Sequence, residues 1–128
     1  INSRKEPKHK VINFVFDNNI LILIIIFYLC YMVVITKTKL IVFYETETTA
    51  KEQLLKWYNT VLKCDWNDIN NIKQTYNTVD YIGNDRYVFN ISGNKYRIEA
   101  MIHFSKRTLY LRFVGTHKEY DKIDCKTI

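Results

Sequence analysis

The sequence predicts an α+β domain: a small twisted antiparallel sheet of about three to four strands, with N-terminal helices packed on one of its faces. Three observations carry this. Apolar residues recur at helical spacing from Leu40 to Tyr76, and after Asp80 the period changes from 3.6 to 2. The chain has 128 residues, 48% of them apolar and 15% aromatic, which is one domain's length and enough for a real core. With three Gly and one Pro it is neither collagen-like nor a linker, and global disorder is excluded.

The first thirty residues do not belong with the rest. No charge stands between Asp17 and Lys37, and Ile20 to Ile35 is an unbroken apolar run. A membrane span needs ~20 mostly apolar residues, so this run is borderline. Arg4, Lys5, Lys8 and Lys10 resemble the charged flank of a signal sequence or an anchor, but no A-x-A-like cleavage site follows. If Val33-Val34-Ile35 is a strand, the helix shrinks to Asn18–Tyr31, too short for a comfortable span. Ile, Asn, Phe, Lys, Leu and Tyr, the residues of AT-rich codons, dominate this segment, and Met32 follows it. The expectation is therefore that residues 1–31 are translated upstream sequence and that the domain is residues 32–128. A true membrane segment and an extra core element are the alternatives.

Val33 to Lys37 is a short β-branched run, and Thr38 then precedes Leu40, Phe43 and Tyr44 at helical spacing. Thr49-Ala50-Lys51-Glu52 fits a capping box. The helix it opens carries Leu54, Tyr58, Val61 and Leu62 on one stripe, widened by Leu55 and Trp57. Asp65 or Asn67 is expected to cap a second short helix bearing Ile69, Ile72 and Tyr76. All of these read as core. Arg86 to Ile91 is a strand, Ser92-Gly93-Asn94 supplies turn chemistry, and Lys95 to Phe104 and Arg107 to Val114 are two more strands joined at Ser105-Lys106. The product is an antiparallel meander.

Nineteen Lys and Arg against thirteen Asp and Glu give a formal +6, which favours polyanion partners. Cys30, Cys64 and Cys125 are far apart and form no CxxC pair, so neither a disulfide framework nor a zinc knuckle is indicated and a reducing cytoplasm is the default. Three scattered histidines make no metal site, and no Gly-rich phosphate loop is present.

Alternation decides where the charges point. Tyr96, Ile98, Ala100, Ile102 and Phe104 share a buried face, so Lys95, Arg97, Glu99, Met101 and His103 look the other way. With Leu109, Leu111 and Phe113 buried, Tyr110, Arg112 and Val114 share that open face. A two-residue turn would pair residues whose numbers sum to 211, setting Arg97 opposite Val114 and Arg112 opposite Glu99. The arginines would then be diagonal neighbours ~7–8 Å apart; a four-residue loop would separate them further. Directly afterwards comes Gly115-Thr116-His117-Lys118-Glu119-Tyr120-Asp121-Lys122. A proton-transfer group, a phenol and two ammonium groups thus emerge beside an arginine face. Cleaving an RNA backbone needs this inventory: a proton removed from the 2′-hydroxyl, charge stabilised on phosphorus, and a proton given to the leaving 5′-oxygen. Histidine moves protons near neutral pH, and arginine's planar fork fits phosphate oxygens. Tyr110 or Tyr120 can stack on a base. The plainer readings stay open: Arg112 and Glu99 as a cross-strand ion pair worth ~0.2–1 kcal/mol, His117 as a strand-end cap, His103 as a satisfied sheet histidine, or a surface that binds nucleic acid without cutting it.

Val88-Phe89-Asn90-Ile91-Ser92-Gly93-Asn94-Lys95-Tyr96-Arg97-Ile98, followed by Tyr110-Leu111-Arg112 and Thr116-His117-Lys118-Glu119-Tyr120-Asp121-Lys122, resembles the HigB toxin family. Leu54-Leu55-Lys56-Trp57-Tyr58 with Asp65-Trp66 is similar to that family's helical half, and Val34-Ile35-Thr36-Lys37 to its opening strand, so the resemblance covers residues 32–128. It implies a type II toxin of the RelE-like superfamily, an mRNA interferase that cuts messages, commonly on the translating ribosome. It also implies a HigA-like antitoxin with a helix-turn-helix domain. By position Arg97, Arg112, His117 and Tyr120 match the family's sheet arginines and tail residues. The expected reaction is metal-independent, with no cofactor: His117 as general acid or base, Arg97 and Arg112 on the phosphate, and Tyr120 positioning the nucleotide. Lys95, Lys122 and Tyr110 would grip the RNA. Residues 1–31 are the chief departure from the family.

Overall fold

The computed structural model describes residues 19–128. The chain divides into two units, Ile1–Cys30 and Tyr31–Ile128. In the first, Asn19–Cys30 is a helix (α1) of twelve residues without a charge. The basic flank at Arg4 to Lys10, and with it most of the leader reading, lies outside the described residues. Among those described, no helix is long and apolar enough to cross a membrane.

The second unit opens on β1 (Val33–Ile35) and helix α2 (Thr38–Thr46). A 3-10 turn, Thr48–Ala50, leads into α3 (Lys51–Lys63), and α4 (Ile69–Thr75) follows. Strands β2 (Asp80–Gly83), β3 (Arg86–Ile91), β4 (Tyr96–His103) and β5 (Thr108–Thr116) come next, with a single-turn helix α5 (His117–Tyr120) after them. The α+β class holds. The strand count and the purely antiparallel pairing do not: the sheet has five strands in the order β1-β5-β4-β3-β2, and β1 runs parallel to β5. β2 escaped the sequence because it is four residues long, ends on a glycine and has a bulged register with β3.

The helices cover one face of the sheet, as alternation requires. Leu40, Leu54, Trp57, Val61, Trp66 and Ile72 meet Phe89, Ile91, Tyr96, Ile98, Ala100, Ile102, Leu109 and Leu111 in a single core, which Met32 also joins. Phe89 is its hub, with ring centroids 5.4 Å from Trp57, 6.0 Å from Trp66 and 5.5 Å from Tyr76. The predicted box at Thr49–Glu52 does not form. Ala50 occupies the N-cap of α3 without a side-chain bond, and the Thr49 hydroxyl instead meets the Tyr96 phenol at 2.9 Å. The cap of α4 is Asp68, whose carboxylate accepts from the Asn71 amide, rather than Asp65 or Asn67. Asp65 and Asn67 instead hold Arg107, which sits in the left-handed region at φ 53° and closes the β4–β5 turn.

That turn spans four residues, yet its register keeps the sum of 211 from His103↔Thr108 to Ala100↔Leu111. A β-bulge then intervenes: Glu99 faces Phe113, and Arg112 is the extra residue. Everything beyond the bulge shifts by one. Phe113 leaves the core for the open face, Val114 turns into the core, and Arg97 faces Gly115.

Candidate active site

Alternation along β3 and β4 places Arg86, Val88 and Asn90 beside Met101, Glu99 and Arg97 on the face the helices leave open. β5 adds Tyr110, the bulged Arg112 and Phe113. The chain then enters α5, whose N-terminus is fixed by a capping box absent from the sequence reading. Thr116 Oγ1 accepts from the Glu119 amide, and the Glu119 carboxylate accepts from the Thr116 amide. This box sets the direction in which His117 and Tyr120 leave the sheet, and the His117 amide also bonds the Lys95 carbonyl at 3.2 Å.

Tyr120 lies over the face. Its ring is 4.9 Å from the Arg97 guanidinium carbon and 6.0 Å from the Phe113 ring centroid. Phe113 is drawn in so closely that a methyl group on Gly115 would approach its ring to 2.5 Å, which explains a small residue at this crowded point. Burial, followed by the Cys125 thiol, pushes the Tyr120 phenol well above its ordinary range. It is therefore a neutral hydroxyl at physiological pH, suited to orienting a nucleotide and unsuited to abstracting a proton.

His117 Nδ1 lies 3.0 Å from Asp121 Oδ2. A carboxylate only accepts, so the ring proton belongs on Nδ1, and Nε2 is left as the nitrogen able to exchange a proton with a substrate. His103 stands 3.9 Å from Asp85 and edge-on to Tyr110 at 5.7 Å.

Neither Arg97 nor Arg112 has an ion-pair partner among the described residues, and the Nε of each is buried without a hydrogen bond. Half-buried guanidinium groups of this kind are costly unless an anion completes them. The expected ion pair between Arg112 and Glu99 is replaced by another: Glu99 Oε1 stands 3.6 Å from Arg86 Nε. Arg86 in turn donates to the Asn84 and Ile128 carbonyls, while Asn84 donates to the Lys126 carbonyl, so segment 121–128 is fastened along this edge of the face. Glu99 is 0% exposed. Its burial outweighs Arg86 and Arg112 and pushes its carboxyl up to about 7.

The structure thus brings Arg97 and Tyr120 together over a face that the bulged Arg112 shares, and His117 opens α5 directly after the strand that carries Arg112. Tyr110 belongs to that face too, 5.9 Å from the Arg112 guanidinium carbon, while Lys95 and Lys122 stand exposed at its margin. Sequence reasoning missed Arg86 and underrated Glu99; the available sign was an arginine and a glutamate on open-face positions of adjacent strands. Among the described residues no group of three or more His, Cys, Asp or Glu side chains is placed to hold a metal ion.

A cationic sheet face with a histidine and a tyrosine at its lip carries groups of the kind that bind phosphate and transfer protons. The family model described as "HigB toxin, RelE-like toxic component of a toxin-antitoxin system" matches residues 50–123, more than half of the chain. The "mRNA interferase toxin HigB" of Escherichia coli K12 is 36% identical over 74 residues, 56% of this chain and 70% of that protein. Proteins called "mRNA interferase HigB" in Escherichia coli O157:H7 and Shigella flexneri match to the same extent. The chain belongs to the HigB toxin family, and with it to the toxic components of toxin-antitoxin systems. Every predicted site residue lies inside the matched span.

Proposed function

We propose that this chain is an endoribonuclease that cuts mRNA, and that residues 32–128 carry the activity. The observation that carries this reading is the pair of half-buried arginines, each without a carboxylate within ion-pair distance, on a face over which Tyr120 lies and after which His117 opens α5. The 2′-hydroxyl attacks the adjacent phosphorus in line, the bond to the 5′-oxygen breaks, and a cyclic phosphate and a free 5′-hydroxyl result. Arg97 and Arg112 take the charge that gathers on the phosphoryl oxygens, where fixed donors are worth most. His117 Nε2 exchanges the proton, held in direction by Asp121. Tyr120 orients the nucleotide against Arg97, and Tyr110 offers a stacking surface. Lys95 and Lys122 supply electrostatic grip that weakens with salt. The family supports two further assignments: the translating ribosome as the place of cleavage, and a HigA-like helix-turn-helix antitoxin as the neutralising partner.

Primer extension on a defined mRNA in a cell-free translation reaction tests this, with and without ribosomes, using the wild type, His117→Ala and Arg112→Ala. New 5′ ends that disappear in both variants are expected. Arrested synthesis with intact message would turn the arginine face into a docking surface, and cleavage without ribosomes would remove only the ribosome from the reading.

A further inference from the structure

Glu99 is the one fully buried carboxyl of the described residues, and it lies in the floor of the site. The groups that face it come from every neighbouring element: Arg86 on β3, Arg97 on its own strand, Arg112 on β5, Tyr120 on α5 and Asp124 in segment 121–128. Both of its oxygens lack a hydrogen bond among the described residues, although Arg86 is within ion-pair distance. A structural ion pair would use those oxygens in short bidentate bonds to its arginine. Here Arg86 instead spends its terminal nitrogens on two backbone carbonyls and gives Glu99 only a 3.6 Å approach. The carboxyl therefore has capacity left over, and Arg112 is the other guanidinium whose charge it feels.

Arg112 also has a particular need of support. As the extra residue of a β-bulge it lacks a cross-strand neighbour to fix its direction. We propose that Glu99 is a positioning residue for Arg112: its carboxylate, set in the floor of the open face, holds from behind the guanidinium that receives the phosphate. This rests on the interferase reading. Ionised, Glu99 holds Arg112 in place from the floor of the face and offsets the mutual repulsion of three arginines. Protonated, it releases Arg112, so the rate rises as pH climbs through neutrality.

Single-turnover cleavage of a short defined mRNA, free and on ribosomes programmed with it, tests this across pH 6 to 8.5. The full chain is compared with Glu99→Gln, Glu99→Asp and the double variant Glu99→Gln/Arg86→Gln, each checked for folding by thermal melting. Glu99→Gln is expected to bind the message nearly as well as wild type and to cut roughly tenfold to a hundredfold more slowly at pH 8, the cost of a misplaced catalytic group. Its rise in rate near pH 7 is lost, and Glu99→Asp recovers part of both. The double variant stays slow, and it carries the comparison even if Glu99→Gln alone does not fold. Wild-type rates in the double variant would overturn the inference by showing that Glu99 serves only to neutralise Arg86. So would a folded Glu99→Gln with the wild-type rate and pH profile. A wild type that cuts under no condition overturns the interferase reading and this inference with it, whereas a cutting wild type beside unaffected variants overturns this inference alone.

Discussion

The two faces of the sheet are made by the same strands and obey opposite rules. Along β4, Tyr96, Ile98, Ala100 and Ile102 enter a closed aromatic and aliphatic core, where even the Tyr96 phenol has a partner in Thr49. The residues between them, Arg97, Glu99 and Met101, build a face whose charged groups are left short of partners. A buried polar group without a partner costs ~1–3 kcal/mol, so the open face is kept at the expense of stability and the helix face supplies it. The difference teaches that the core face should answer to mutation in stability and the arginine face in activity.

The largest effect expected is on the core face. Phe89→Ala removes the ring shared by Trp57, Trp66 and Tyr76 and should cost about 3–5 kcal/mol, read as a lower urea midpoint. Arg97→Ala and Arg112→Ala should leave that midpoint unchanged or raised while slowing message cleavage by about 10²–10³-fold, as loss of a fixed charge-stabilising donor does. Primer-extension kinetics beside the same urea curves check both halves of the contrast; an Arg112→Ala chain that unfolds would break it.

Glu99 sharpens the comparison, because here the open face acts on stability through pH. Its carboxyl is pushed up from 4.5 to about 7 in the folded chain. Between those values the folded state holds a proton that the unfolded state has released. The stabilisation is full below about pH 4.5 and is lost as pH rises through 7, an effect of about 3 kcal/mol. Glu99→Gln lacks this titration, so relative to wild type it should gain melting temperature from pH 4.5 to pH 8; an unchanged difference across that range would refute the buried-carboxyl account. Smallest is Thr116→Ala, which opens the capping box of α5 and should cost about 1 kcal/mol, with a modest loss of cleavage as Tyr120 loosens over Arg97.

Much of this was legible in the sequence. The alternation Tyr96–Ile98–Ala100–Ile102 gave both faces of β4, and the 211 register was correct as far as Ala100↔Leu111. Arg97 meets Tyr120 because the one sits on that face and the other directly after it. What could not be read depends on contacts distant in sequence. The bulge at Arg112 settles only when Val114 enters the core and Phe113 packs on Tyr120. Thr49 looked like a helix cap because only tertiary packing brings Tyr96 within reach of it. Glu99 looked like an ordinary strand charge because its burial is the work of the whole fold around it, with segment 121–128 among its neighbours.

The parallel pairing of β1 with β5 joins Val33 to Thr108, residues 75 positions apart. A contact that distant closes late, since a long loop must be ordered before the pairing returns anything. The strand that carries Arg112 gains this neighbour only after β1 has waited for three helices and three strands to be synthesised. The arginine face is therefore completed late, once the outer neighbour of β5 has been ordered across the whole intervening chain.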